Sequence, residues 1–85
     1  MDARQKLEKI LVEKLKLEID VSAIKDDQPI QELGMDSLVL VRLIYLLEDD
    51  YRVTLSTSEV LSIGTFGDLV RLLDQKLGAS EVAAA

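Results

Sequence analysis

The spacing of hydrophobic residues predicts a first helix followed by a long connection. Over residues 3–17, apolar side chains fall three and four positions apart, at Leu7, Ile10, Leu11 and Leu15. This spacing is typical of an amphipathic helix. Residues 18–33 keep many apolar side chains but lose the helical period, and they contain the only proline. We interpret them as a connection whose apolar side chains hold it against the core.

Three further helices are predicted in the second half of the chain. Residues 37–51 are apolar on nearly every side, and Asp36 before them is a suitable N-cap because its carboxylate can accept backbone N–H groups. Residues 58–62 predict a helix of one turn. A last helix is expected to begin after Thr65 and to end at Gly78, since glycine is common just beyond helix ends.

These elements indicate an all-α protein. We expect a four-helix bundle with a long loop after the first helix and a short third helix. Residues 1–78 should form a single domain, and residues 79–85 should form a disordered tail because they show no pattern of buried positions.

The second helix has more apolar surface than so small a domain can bury. A helical wheel places its core face at Leu40, Leu43, Ile44, Leu47 and Tyr51. The opposite side carries Arg42 and Asp49, and the apolar residues on or beside it are Leu38, Val39, Tyr45 and Leu46. Single exposed apolar residues are ordinary. Four of them around one charge favour a partner-binding face.

Composition excludes several classes of function. The 85 residues include no cysteine and no histidine, so disulfides, thiolate metal sites and the commonest general bases are absent. We therefore expect neither an enzyme nor a metal site; a hydrolase using Ser37 with Lys25 as base has no motif to support it. The net charge of −6 disfavours nucleic acid and favours basic protein surfaces as partners.

Nothing in the sequence predicts a membrane protein. The longest apolar run is well short of the ~20 residues that span a bilayer, and the N-terminus lacks the apolar core of a signal peptide. Absence of cysteine fits a reducing compartment. We expect a cytoplasmic monomer, and the charge-balanced start with its complete first helix favours a free-standing chain.

The stretch from Ile30 to Leu38, IQELGMDSL, resembles the motif of the acyl carrier proteins and the related peptidyl carriers. The resemblance covers about residues 5–77 in register. It includes the acidic end of the second helix, Glu48 to Tyr51, and the segment IGTFGD, Ile63 to Asp68.

This resemblance implies that Ser37 carries 4′-phosphopantetheine, on whose thiol acyl or aminoacyl groups travel as thioesters. Asp36 and Leu38 are implied in recognition by the phosphopantetheinyl transferase. The further partners implied are acyl- or aminoacyl-transferring enzymes and condensing enzymes.

The chain departs from the family at two positions. Fatty-acid carriers usually have acidic residues where this chain has Val39 and Arg42, although Asp49 and Glu59 remain acidic. We therefore expect a partner face formed by Val39, Arg42, Tyr45, Leu46, Asp49 and Glu59. It would serve polyketide, nonribosomal peptide or amino-acid-loading chemistry, as in antibiotic biosynthesis. The alternatives are a housekeeping fatty-acid carrier and a helical interaction module without a prosthetic group.

Overall fold

The computed structural model describes residues 2–84, with side chains over residues 2–78. It contains four α-helices in chain order: α1 Ala3–Lys9, α2 Ser37–Tyr51, α3 Thr57–Leu61 and α4 Phe66–Ala84. Within the described residues there is no β-strand, and a single antiparallel bridge pairs Pro29 with Thr65. The predicted all-α, four-helix architecture is confirmed.

The first helix ends earlier than its apolar spacing predicted. After α1 the backbone continues as one π-helical segment, Ile10–Lys14, in which the Leu15 N–H donates to the Ile10 carbonyl at 2.9 Å. This wider turn adds a residue while keeping Leu15 buried. Lys16 then takes the left-handed conformation (φ 58°), and the Leu17 N–H donates to the Leu11 carbonyl, closing the helix before residue 17.

The long connection is fixed to the start of α4 by backbone hydrogen bonds. The Phe66 N–H donates to the Gln28 carbonyl at 2.9 Å, and the Gly67 N–H donates to the Asp26 carbonyl at 2.8 Å. Ile24, Ile30 and Leu33 point into the core, as the apolar pattern predicted. Two short 3-10 turns, Val21–Ala23 and Ile30–Leu33, give the connection its shape.

Arg4 ties the same connection to α1 and α4. Its guanidinium lies 5.0 Å from the centroid of the Phe66 ring and 2.9 Å from Asp26 Oδ1, and it donates to the Ile24 carbonyl. These contacts hold the loop that leads to residue 34 in one position relative to the bundle.

Helices α3 and α4 both begin with reciprocal caps. Ser56 accepts the Glu59 N–H at 3.2 Å, and the Glu59 carboxylate accepts the Ser56 N–H at 2.9 Å. Thr65 and Asp68 form the same arrangement at α4, as expected for a Thr65 cap. Helix α3 starts at Thr57, one residue before the predicted start.

Helix α4 does not end at Gly78, as the sequence predicted, but runs to Ala84. Glycine costs a helix about 1 kcal/mol relative to alanine and does not break it, and the following alanines are the strongest helix formers. For residues 79–84 only the backbone belongs to the described part of the chain, and Ala85 lies outside it. The predicted disordered tail of residues 79–85 and the domain boundary at residue 78 therefore stay predictions.

The core lies between α1, α2 and α4. Its largest fully buried side chains come from these three helices and the π-helical segment: Leu7, Ile10, Leu11, Leu43, Leu47, Phe66, Leu69 and Leu73. Leu40 and Tyr51, predicted on the core face of α2, are half-buried, as are Val70 and Leu77 of α4. Helix α3 contributes no buried residue.

Candidate functional site

Ser37 is the first residue of α2 and lies exposed on the surface. Its neighbour Asp36 is the N-cap, as predicted: the Val39 N–H donates to Asp36 Oδ1 at 2.9 Å. The Leu40 N–H bonds to the Asp36 carbonyl at 2.9 Å and starts the helical ladder. Within residues 2–78 no hydrogen bond joins the Ser37 hydroxyl to another side chain, and the residue is exposed to solvent.

Two residues before the helix fix the direction in which it starts. Gly34 has φ +78°, a left-handed conformation that ends the second 3-10 turn and favours glycine. Met35 is 2% exposed and anchors the next position in the core. The backbone therefore turns sharply at Gly34, and Asp36 and Ser37 emerge at the surface directly after a buried side chain.

An open groove of about 680 Å³ starts at Ser37 and runs between the connection and the α3–α4 link. Its walls mix apolar and polar groups, from Ile30, Gln31, Met35, Asp36, Ser37, Leu40, Ile63 and Gly64. A linear chain with both methyl and amide groups, such as phosphopantetheine, matches this mixed lining.

The start of α2 also fits a phosphate on the Ser37 hydroxyl. The first N–H groups of a helix have no partner within the helix. Here the Asp36 carboxylate accepts the Val39 N–H, so the N–H groups of Ser37 and Leu38 remain for a ligand or for solvent. Backbone N–H groups at a helix N-terminus bind phosphate oxygens, although the nearby Asp36 carboxylate offsets part of that attraction.

Tyr45 forms a ridge on the outer side of α2, with its side chain 68% exposed. On one side of it lies a shallow groove of about 240 Å³ between α2 and α3, lined by Val41, Ile44, Tyr45, Glu48, Leu55, Thr57, Val60 and Leu61. Leu61 is 80% exposed and Val41 is 46% exposed. Neither residue was predicted for the partner face: Leu61 lies on a helix too short to show a helical period, and Val41 of α2 was assigned to neither face of that helix.

On the other side of the Tyr45 ridge lies a groove of about 410 Å³, lined by Lys14, Arg42, Tyr45, Leu46 and Asp49. The structure therefore brings together four of the six residues predicted for the partner face and adds Lys14 to them. Leu38, at the start of the helix, is 76% exposed, whereas Val39 and Leu46 are half-buried against the core.

The sixth residue predicted for the partner face, Glu59, is bonded within the chain. One carboxylate oxygen accepts the Ser56 N–H, and the other lies 2.9 Å from Lys76 Nζ of α4. The hydrogen bond from the Ser56 backbone N–H lowers the pKa of the Glu59 carboxyl most, the hydrogen bond from the Lys76 ammonium group lowers it further, and the resulting pKa is about 2. The backbone N–H groups of Thr65 and Gly64 likewise lower the pKa of Asp68. Both carboxylates anchor helix starts.

Across the part of the chain that the structure describes, no helix has the length and apolar character required to cross a membrane.

A family model described as "Phosphopantetheine attachment site" matches residues 5–73. An acyl carrier protein of Zymomonas mobilis is 31% identical over 74 residues, which cover 87% of this chain and 94% of that protein. An acyl carrier protein of Thermotoga maritima is 36% identical over 64 residues, covering 74% of this chain and 79% of that one.

Larger proteins match as well. The 3-methylorcinaldehyde synthase of Sarocladium schorii is 34% identical over 67 residues, which cover 79% of this chain but only 2% of the synthase. In three dimensions, the crystal structure of an acyl carrier protein from Thermotoga maritima has a TM-score of 0.73 at 24% identity, covering 92% of this chain and 94% of that one. The chain therefore belongs to the phosphopantetheine-attachment family that includes the acyl carrier proteins, and it is a carrier with covalently attached 4′-phosphopantetheine.

Proposed function

We propose that Ser37 is the residue to which 4′-phosphopantetheine is attached, and that the chain carries acyl groups of polyketide type between biosynthetic enzymes. The observation that supports the site most directly is the exposed Ser37 hydroxyl directly after the Asp36 cap, within the family match. When bound, the group supplies a thiol on which acyl groups form thioesters. The chain contains no cysteine of its own.

The role of each residue at the attachment site follows from its position. Ser37 supplies the hydroxyl oxygen that becomes bonded to the phosphorus of the group. The bond from that phosphorus to the rest of coenzyme A breaks, 3′,5′-ADP leaves, and a base of the transferase takes the hydroxyl proton. Asp36 keeps the first turn of α2 in place through its hydrogen bond to the Val39 N–H. Leu38 presents exposed apolar surface beside the hydroxyl, where the phosphopantetheinyl transferase must approach. A transferase that recognises all three would provide the base that the chain lacks.

The polyketide assignment rests on two observations. Segments of non-reducing polyketide synthases from Didymella fabae and Monascus ruber are 33% and 32% identical to this chain. In addition, the outer face of α2 carries the exposed cation Arg42 instead of the acidic residue usual in fatty-acid carriers. A changed charge at a contact surface selects some partners and rejects others.

The partners proposed are the phosphopantetheinyl transferase and the acyl-transferring and condensing enzymes of such a pathway. Aminoacyl-transferring enzymes of nonribosomal peptide type are the second possibility. Val39, Arg42, Tyr45, Leu46 and Asp49 would form the contact face of a monomeric carrier. We assign Glu59 to anchoring α3 instead, because both of its oxygens are bonded within the chain.

A fatty-acid role is the competing proposal, and the near full-length match to the Zymomonas mobilis acyl carrier protein favours it. The polyketide and fatty-acid roles can be distinguished by measuring which enzymes load acyl groups onto the carrier. The modified carrier is offered to acyl-transferring enzymes from polyketide and fatty-acid pathways and to an aminoacyl-transferring enzyme, and thioester formation is followed by intact mass. Preferential loading by the polyketide enzyme is expected, and preferential loading by either other class would replace the assignment.

The attachment residue is tested separately by fragment mapping. The purified chain is incubated with coenzyme A and a broad-specificity phosphopantetheinyl transferase, and the modified product is digested and sequenced by tandem mass spectrometry. We expect the group on the peptide that contains Ser37. Its appearance on Ser56, Ser58 or Ser62 would refute the assignment.

A further inference from the structure

We propose that the outer face of α2 recognises its partner enzyme by the order of two opposite charges along the helix. Arg42 would bind a carboxylate of the enzyme, and Asp49 would bind a basic group of the same enzyme. This inference rests on the proposed function, because it specifies the chemistry of the same partner.

The two charges lie on one face of α2. Seven residues make nearly two full helical turns, so Arg42 and Asp49 are separated by about 10 Å along the axis and by only ~20° around it. Both line the same groove of about 410 Å³, on the side of α2 that faces Lys14. Arg42 therefore lies at the end of the groove nearer Ser37, and Asp49 lies two turns further on. Lys14 also lines the groove at the Asp49 end, but it is paired with Asp50 Oδ2 at 3.9 Å, so the net charge of that end is negative.

Both charges are available to a partner. Arg42 and Asp49 are exposed, and neither forms an ion pair with another side chain over residues 2–78. The neighbouring acidic residues are already engaged: Glu48 Oε2 accepts the Leu55 N–H at 3.1 Å, and Asp50 Oδ2 lies 3.9 Å from Lys14 Nζ. At this end of α2, Asp49 is thus the carboxylate without a partner among the described side chains.

Apolar surface lies between the two charges. Tyr45 and Leu46 occupy the positions three and four residues after Arg42, and Tyr45 is largely exposed. A partner that covers the tyrosine ring would exclude water from the groove and strengthen both charge pairs. The complementary surface is therefore a carboxylate and a basic group about 10 Å apart, with an apolar side chain between them.

The order of the charges matters because the docking direction is fixed. An arm attached at Ser37 must enter the active site of the enzyme, so the enzyme cannot turn end for end on α2. A carrier with the same two charges in the opposite order would place like charges together at both ends. Like charges in contact across an interface weaken association strongly.

The test uses three variants: Arg42→Glu, Asp49→Lys and the double swap R42E/D49K, which leaves the net charge at −6. Each is first converted to its modified form and quantified by intact mass. Loading is then measured across a salt series with the acyl-transferring enzyme that loads the wild-type carrier. The matched control is K9E/E13K, which exchanges the charges of an exposed ion pair on α1 and the π-helical segment.

We expect the single swaps to raise KM about tenfold at low salt and the double swap to raise it at least as much, with kcat little changed. Added salt should reduce all three effects, and K9E/E13K should load like the wild type. Wild-type loading by R42E/D49K would overturn the proposal, since it would mean that net charge alone steers the enzyme. Failure of the wild-type chain to accept phosphopantetheine at all would instead refute the proposed function.

Discussion

Helices α2 and α3 both expose apolar side chains toward the groove between them, but they are held in place by different forces. Helix α2 buries Leu43, Ile44 and Leu47 in the core. Helix α3 has no fully buried residue: Val60 is half-buried against the core, and the rest of its anchoring comes from hydrogen bonds and an ion pair through Ser56, Glu59 and Lys76. Apolar packing carries no charge to titrate or to be screened by salt, whereas charged contacts at the surface depend on both pH and ionic strength.

The contrast gives the two helices different roles. Helix α2 is the rigid element, so Ser37 and the Arg42–Asp49 face keep a constant relation to the rest of the bundle. Helix α3 forms the second wall of the groove at Tyr45, and its position depends on a few polar contacts together with the half-buried Val60. We therefore expect local changes at α3 to alter that groove while the attachment site is unaffected.

The largest expected effect is the loss of core packing under α2. Leu47→Ala should lower the free energy of unfolding by about 2–5 kcal/mol, because it removes a fully buried side chain and leaves a cavity. Phe66→Ala should cost a similar amount. Tyr45→Ala, on the exposed side of the same helix, is the control and should change stability by about 0.5 kcal/mol or less. Denaturant unfolding measures all three, and equal losses for Leu47 and Tyr45 would contradict the assignment of the two faces.

A smaller effect is expected where the connection meets α4. A Cβ atom on Gly67 would lie 2.8 Å from the Asp26 carbonyl oxygen, so Gly67→Ala must displace backbone. We expect a loss of about 1–3 kcal/mol. Gly78→Ala is the matched control in the same helix: its Cβ would meet nothing within 4 Å, and it should raise stability by about 0.5–1 kcal/mol. A Gly67→Ala variant whose melting temperature equals or exceeds that of the wild type would show that residue 67 does not lie this close to the Asp26 carbonyl oxygen.

The polar anchoring of α3 predicts a dependence on pH that α2 should not share. Because the pKa of Glu59 is lowered from 4.5 to about 2, its contribution is complete above pH 4.5 and is lost as the pH falls toward 2. Glu59→Gln should therefore melt below the wild type at neutral pH, and the difference should disappear between pH 4.5 and 2.

Hydrogen exchange shows which of the two helices, α2 or α3, is destabilised by Glu59→Gln. Glu59→Gln should speed exchange at the Ser62 amide, whose acceptors are the Ser58 and Glu59 carbonyls, and leave the amides in the middle of α2 protected. Lys76→Gln should act in the same direction because it removes the ion pair across to α4. A difference between wild type and Glu59→Gln that persisted unchanged at pH 2 would contradict this role for the carboxylate.

The sequence predicted those features that depend on local patterns. The period of three and four located the buried side chains Leu7, Ile10, Leu11 and Leu15, and the Asp36 cap located the start of α2, because a cap and a period are both local. The π-helical segment and the early stop at Lys16 could not be predicted, since they follow from how Leu15 packs in the finished bundle.

The candidate site was predictable to the same extent. Asp36 and Ser37 belong to a contiguous motif, so they were visible in the sequence. Lys14 joins the Arg42 groove only through tertiary packing, and Leu61 reaches the Tyr45 ridge only through the placement of a helix of five residues. Glu59 looked available to a partner because its ion pair with Lys76 spans two helices and leaves no local pattern.

The most direct test of the central claim is Ser37→Ala, measured for both folding and modification. The Ser37 side chain is exposed and Asp36 still caps α2, so the variant should melt within about 0.5 kcal/mol of the wild type. Incubated with coenzyme A and a phosphopantetheinyl transferase, the wild type should gain the mass of one phosphopantetheine and the variant should gain none. A folded Ser37→Ala protein that still gains this mass would contradict the account.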